Sequence, residues 1–275
     1  MSTFTQRLDR ALAAGLIAAM LGACVAAPPP GDFDAGYQAY QKGDFQAALA
    51  IWRPLAESGH AVAQYNLGLM HAEGRGLAQN RELAIGWLDK AAAQGVPEAA
   101  FNLAGLHLAS TKPDYAATRR LLGIAADAGL DRAQHSLAKL YEYGLGGPKD
   151  AGRAFQYFSQ AAKRGHLGAM YNLGKIYRDG RGIVADEAAS IEWFRAAATA
   201  GYAKGQAKLG DRYARGRGVP RDDLEAYVWT ALAAAQDLPS AVEKSKARRA
   251  MLNARQIDEA ERRIGAFRPR STPDN

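Results

Sequence analysis

The sequence predicts an all-α chain, a solenoid of stacked antiparallel helix pairs, and three observations point to it. A fifteen-residue run is written three times, as NLGLMHAEGRGLAQN at 66–80, NLGKIYRDGRGIVAD at 172–186 and KLGDRYARGRGVPRD at 208–222. Around it, columns of like residues stay in step: Leu67, Leu103, Leu137, Leu173 and Leu209 recur at spacings of 36, 34, 36 and 36. The composition is 48% hydrophobic but only 9% aromatic, and rich in alanine. That suits closely packed helices better than sheets, which favour β-branched and aromatic side chains. A unit needed repeatedly is one that cannot bury its apolar face alone.

The first 23 residues read as an export signal. Arg7 and Arg10 precede an apolar or small run from Ala11 to Ala23, too short for the roughly 20 residues that span a bilayer. The run ends Leu21-Gly22-Ala23-Cys24, followed by a linker over 24–33 that contains Pro28, Pro29 and Pro30. This resembles the lipobox of bacterial lipoproteins, in which the signal is cut before a cysteine that is then lipidated. Cys24 is accordingly the expected lipidation site; an ordinary cleaved signal beside a chance cysteine is the alternative. Because Cys24 is the sole cysteine, the mature domain has no disulfide.

Six helix pairs are expected, over 34–60, 61–96, 97–130, 131–166, 167–202 and 203–236. Each column has a physical reason. Asp44, Asn80, Asp114, Asp150, Asp186 and Asp222 stand where the second helix of a pair (helix B) starts, and can accept the orphan N–H groups of its first turn. Gly59, Gly95, Gly129, Gly165 and Gly201 stand where helix B ends and the chain turns left-handed. The small residues Gly68, Ala104, Ala138, Gly174 and Gly210 follow the leucine column on the first helix (helix A). The large residues Ile51, Trp87, Leu121, Tyr157, Trp193 and Trp229 are the expected knobs that lie against them. Gly74-Arg75-Gly76, Gly180-Arg181-Gly182 and Gly216-Arg217-Gly218 join helix A to helix B. The glycines permit positive φ and the arginines are expected to point outward; an anion-binding ridge of stacked arginines is the other reading. The third pair lacks the motif and is two residues shorter there.

The pattern A-x-x-x-L-G-x-x-Y/H-x-x-G-x-G, then D, A-x-x-W and A-A-x-x-G, resembles the Sel-one-like repeat, a relative of the tetratricopeptide repeat, over about 34–236. That resemblance implies a right-handed superhelical α-solenoid with a concave, protein-binding face and no active site. The first pair, with Gly43-Asp44-Phe45 as a tight link, reads as a tetratricopeptide-like cap. Residues 237–267 are expected to form capping helices: Pro239 opens one that runs to about Leu252, and Asn253 with Gln256 makes a capping box for the last. Residues 268–275 are a tail.

Residue patterns that carry chemistry are few. The net charge is +7, and +6 without the signal, but the charges are interspersed, which argues against a nucleic-acid tract. His71 and His107 occupy a tyrosine column, His60 and His166 follow turn glycines and cap helices, and none stands beside a nucleophile. No G-x-S-x-G, H-E-x-x-H or G-x-x-x-x-G-K-[ST] occurs, and the carboxylates of Glu187, Asp222, Asp223 and Glu225 suit helix starts. No catalytic residue, metal, cofactor or small-molecule substrate is expected. The expected binding face is the concave helix-A wall, with Tyr65, Phe101, His135 and Tyr171 in one column and Asn66, Asn102 and Asn172 beside it. Rings and amides there suit an extended peptide; alternatively they join neighbouring repeats. The expectation is an interaction scaffold on the periplasmic face of the outer membrane, lipid-anchored through Cys24 and binding another envelope protein or peptide. A regulator of a signalling or exopolysaccharide system, a cell-wall or β-lactam hydrolase and a plain spacer remain as alternatives.

Overall fold

The computed structural model describes residues 32–270. The expected signal, Cys24 and most of the linker, and the end of the tail, lie outside them. Among the described residues are fourteen α-helices and no strand. They are α1 (Asp32–Gln41), α2 (Phe45–Glu57), α3 (Ala61–Glu73), α4 (Arg81–Ala93), α5 (Pro97–Leu108), α6 (Tyr115–Asp127) and α7 (Asp131–Tyr143), followed by α8 (Ala151–Lys163), α9 (Leu167–Asp179), α10 (Glu187–Thr199), α11 (Ala203–Arg215), α12 (Asp223–Ala234), α13 (Pro239–Arg249) and α14 (Ala254–Ala266). The chain divides into two compact units between Lys149 and Asp150. In the first, each helix from α1 to α7 packs on the next in sequence. In the second, the same holds from α8 to α13, and α14 returns onto α12. Packing of neighbour on neighbour is what a helix-pair repeat requires.

The caps are the expected ones. Asp44, Asn80, Asp114, Asp150, Asp186 and Asp222 each accept the N–H three residues on, at 2.9–3.0 Å. At the other end of helix B, Gly95, Gly129 and Gly201 take φ of 83°, 92° and 90°. The residues after them, Val96, Leu130 and Tyr202, donate back to Ala91, Ala125 and Ala197, which closes the Schellman turn. In the C-terminal cap, Pro239 opens α13, which ends at Arg249 instead of near Leu252, and the capping box of Asn253 and Gln256 is formed.

The knobs are a correction. At Gly68 and Gly174 the residue that fills the hole is one later than the expected column, Leu88 and Phe194. Trp52, Leu122 and Phe158 at the same offset are likewise no more than 1% exposed. Of the expected column, Leu121 is equally buried at 1%, whereas Ile51, Trp87, Tyr157, Trp193 and Trp229 are half-buried. One residue is a rotation of about 100° on a helix, which turns the larger rings to the groove edge. A Cβ at Gly68 would lie 2.8 Å from Leu88 Cγ, and one at Gly174 would lie 2.6 Å from the Phe194 ring.

The Gly-Arg-Gly turns take the expected positive φ, and differ from expectation in where two of their arginines lie. The first glycine caps helix A in the left-handed region, with φ of 72° at Gly74, 65° at Gly180 and 60° at Gly216. The second packs on the start of the preceding helix B: a Cβ at Gly76 would meet Phe45 Cβ at 2.7 Å and one at Gly182 would meet Ala151 backbone at 2.8 Å. Its need is for space as well as for φ. Only Arg217 is exposed. Arg75 folds back to pair with Glu73 and sits 5.6 and 5.7 Å from the Tyr40 and Phe45 ring centroids. Arg181 turns toward Asp179, at 3.5 Å. Where a ring or carboxylate stands within reach, stacking and pairing outweigh full hydration of the guanidinium.

Candidate protein-binding face

In the first unit, α3, α5 and α7 bring Tyr65, Phe101 and His135 to equivalent positions. Tyr65 is half-buried, and its hydroxyl accepts a hydrogen bond from Asn102 Nδ2 at 3.1 Å. Burial, reinforced by the Glu98 charge, pushes its phenol up to about 12, so it remains a neutral hydrogen-bonding group. Phe101 is 3% exposed, with the Arg132 guanidinium 5.1 Å from its ring centre. Asn66 and Asn102 are also buried, and Asn66 Nδ2 has no hydrogen-bond partner. The amides therefore lie largely within the repeat stack, and the accessible part of the expected ladder here is Tyr65 and His135. In the second unit, Tyr171 and Asn172 on α9 are both half-buried. The Tyr171 ring lies 5.7 Å from Phe194 and 5.8 Å from Tyr202, centre to centre, with Lys175 Nζ at 5.9 Å. Burial raises the phenol pKa of both Tyr171 and Tyr202.

Two of the histidines and the carboxylates singled out in the sequence are tied into caps and ion pairs. His60 and His166 accept the N–H of Ala63 and Ala169 through Nδ1, both at 3.1 Å. Asp222 caps α12, Asp223 pairs with Arg221 at 3.1 Å, Glu225 with Arg263 at 2.5 Å, and Glu187 with Arg212. Among the described residues no group of three or more His, Cys, Asp or Glu is placed to hold a metal.

One site was not foreseen. On α9, α11 and the turn that follows α11, a cavity of about 160 Å³ is lined by Arg178, Lys208, Asp211, Arg212, Arg215 and Arg217. Lys208 occupies the amide column of Asn66, Asn102 and Asn172. The Tyr171 phenol is close enough to feel the charges of Arg178 and Asp211, so the cavity adjoins the expected face. A signal for it was present: Arg212 falls in a column that reads Met70, Leu106, Leu140 and Ile176 in the preceding repeats. An arginine where four repeats place an apolar side chain is an exception that periodicity alone passes over.

The described helices carry no span long and apolar enough to cross a membrane. The Sel1 repeat family model matches residues 61–96, 97–130, 131–166, 168–202 and 203–238. Among solved structures, the chain is similar to a protective antigen of uropathogenic Escherichia coli strains with an SLR fold, at a TM-score of 0.77 and 27% identity, covering 95% of this chain and 56% of that one. It is also similar to a Sel1 repeat protein from Oxalobacter formigenes, at a TM-score of 0.73 and 25% identity, covering 79% of this chain and 87% of that one. Among curated proteins, an exopolysaccharide production negative regulator of Rhizobium leguminosarum bv. viciae is 30% identical over 152 residues, which is 50% of this chain and 57% of the relative. The chain thus spans little more than half the length of that relative. With five matched repeats, α-helical pairs throughout the described residues and their caps in register, the chain belongs to the Sel1 repeat family.

Proposed function

We propose that this protein is a non-catalytic interaction module of the bacterial envelope. It is exported and lipid-anchored through Cys24 on the periplasmic face of the outer membrane, and it binds a partner protein along its helix-A faces. The observation that carries the reading is that Tyr65 and His135 stay half-exposed at equivalent helix-A positions in one unit, and Tyr171, in the same column, with its neighbour Asn172 in the other. Rings and polar tips at a fixed period suit an extended partner chain, which offers side chains at regular intervals and backbone groups between them. His60, Asp222 and Glu187 are tied into caps and an ion pair, which is what disfavours the hydrolase reading. Likeness to an exopolysaccharide regulator favours a regulatory scaffold over a spacer.

The test is a photo-crosslinking residue placed at Tyr65 or at Tyr171 in the full-length protein in its native cells, with Val184, 89% exposed in a turn, as control. A discrete protein adduct from the helix-A positions and none from Val184 is expected. Adducts of equal strength from all three, or from none, defeat the reading. In the same strain, Cys24→Ser should abolish labelled fatty-acid incorporation and release the protein from the membrane fraction; retention of both overturns the anchor.

A further inference from the structure

The cavity between α9 and α11 is a concentration of positive charge that the fold does not neutralise. Arg178 is held by Asp179 at 2.6 Å, Arg212 by Glu187, and Asp211 is shared by Lys244 at 2.9 Å and Arg248 at 2.7 Å. Among the described residues no carboxylate pairs with the side chains of Lys208, Arg215 or Arg217, and Asp179 is shared with Arg181, so eight cationic groups share three carboxylates. Burial lowers the pKa of the Lys208 ammonium, and Arg178, Arg212 and Lys244 lower it further against the pull of Asp211. Like charges held this close in partial burial are destabilising without a counter-charge.

Arg212 makes the case specific. It is 6% exposed, its Nη1 is tied to Glu187, its guanidinium lies 5.7 Å from the Phe194 ring centre, and its buried Nη2 has no hydrogen-bond partner. A buried charged donor left unsatisfied is costly, and the apolar residue of four other repeats would avoid that cost. One side of the guanidinium is anchored to Glu187, and the other is buried and unpaired in a residue that lines the cavity, as it would be if a ligand completed it.

We propose that this cavity receives adjacent carboxylates of an acidic segment in the partner protein; the proposal rests on the protein-binding reading above. The layout of the charges favours a segment over a single compact anion. Lys208, Arg212 and Arg215 are spaced four and three residues apart on α11, which strings their charges along about 10 Å of helix. Alternate side chains of an extended chain are about 7 Å apart, so two or three acidic residues in a row of alternation can each meet one cation. A bare phosphate gathers its charge at one point and leaves the rest of the row unanswered. The planar guanidinium of Arg212 matches a carboxylate edge.

The test uses the full-length chain with a fluorescein-labelled peptide that alternates Glu and Ser, its Gln-for-Glu counterpart, and inorganic phosphate. The wild type should bind the Glu peptide with strong salt dependence and ignore the Gln peptide. Arg212→Leu restores the apolar character of the column, so it should keep or raise the unfolding midpoint. It should also weaken the Glu peptide by at least about tenfold, the scale of one charge-assisted bond. Lys163→Gln, an exposed cation on α8, should leave binding unchanged. Lys208→Gln with Arg215→Gln provides a second variant away from the buried position and should show the same loss. Equal weakening by Lys163→Gln, or unchanged binding in Arg212→Leu, overturns the proposal as a general charge effect. Stabilisation by phosphate without Glu-peptide binding overturns it in favour of a small-anion site. If the Tyr171 crosslink of the preceding section persists while the peptide never binds, the pocket fails and the protein-binding reading stands.

Discussion

At the scale of single residues, this chain is governed by where side chains are forbidden. Gly174 and Gly86 are both helical glycines, yet their surroundings are opposite. A Cβ at Gly174 would be driven 2.6 Å from the Phe194 ring, which is itself fully buried, whereas one at Gly86 would meet nothing within 4 Å. Gly174→Ala should therefore destabilise by about 1–3 kcal/mol through overpacking. Gly86→Ala on the exposed face of α4 should stabilise by up to about 1 kcal/mol, because glycine is the poorer helix former. Urea unfolding midpoints of the two variants should move in opposite directions, and a shift in the same direction would refute the packing account. The small-residue column was legible in the sequence because its period is unmistakable. The identity of the knob was not, since Trp193 and Phe194 are equally apolar and only a helix rotation decides which enters the groove. Buried glutamines escaped notice for a related reason. Gln64, Gln134 and Gln206 donate through Nε2 to the carbonyls of Ala56, Ala126 and Ala198 at 3.0–3.2 Å, satisfying helix ends that sequence reading treats as met by the turn alone.

At the scale of the helix, the two ends obey different rules. Helix B starts on a carboxylate or amide cap in all six pairs. Helix A starts on whatever follows the turn glycine: Val96, Leu130 and Tyr202 give no side-chain cap, whereas His60 and His166 do. A histidine cap accepts through an unprotonated nitrogen, which makes α3 sensitive to pH. Burial lowers the His60 pKa, against its own backbone hydrogen bond, and Phe33 stacks on the ring at 5.2 Å. The folded state thus binds the proton less readily than the unfolded chain, whose imidazole titrates near about 6.5. The cap's contribution is complete above that value and is lost as pH falls through it toward the lower folded pKa. His71, lowered by burial and by the Arg53 charge, adds a slope of the same sign. Thermal midpoints should fall between about pH 7.5 and 5.5, where imidazoles titrate. His60→Asn, which keeps an acceptor that does not titrate in this range, should flatten part of that fall. An unchanged slope in His60→Asn would remove the cap from the explanation.

At the scale of the whole molecule, the repeat period determines nearly everything that was legible, and breaks in the period mark what was not. The first pair and the C-terminal helices were foreseen as caps because their sequences leave the columns, and both pack as helices at their ends of the described chain. The cationic cavity shows in the sequence only as an exception to a column, Arg212 after Met70, Leu106, Leu140 and Ile176, and agreement between repeats does not reveal an exception. The same last matched repeat departs once more, where Thr230 replaces the Trp, Leu or Phe knob, and Arg248 of α13, beyond the matched residues, reaches into the space beside it, bonding Thr230 and Asp211. In the second unit, α13 and α14 thus have two duties. They cover an apolar cluster of Tyr227, Val228 and Leu232 with Leu252 and Ala260, and they bring Lys244 and Arg248 to neutralise Asp211, whose carboxylate they hold below its usual pKa despite its burial. Removing residues 239–270 should expose the cluster and leave Asp211 facing Lys208 and Arg212 alone. The truncated protein is expected to bind an apolar dye, to aggregate at concentrations the full chain tolerates and to unfold at lower urea. Leu252→Ala removes part of the apolar cover and none of the charge, at a cost of about 2–3 kcal/mol. If Leu252→Ala reproduces the aggregation, the apolar duty dominates. If instead Lys244→Gln with Arg248→Gln reproduces it, charge neutralisation does. A truncated chain with the unfolding midpoint of the full one would show that the final repeat needs no cover, contrary to what a stack of mutually dependent pairs requires.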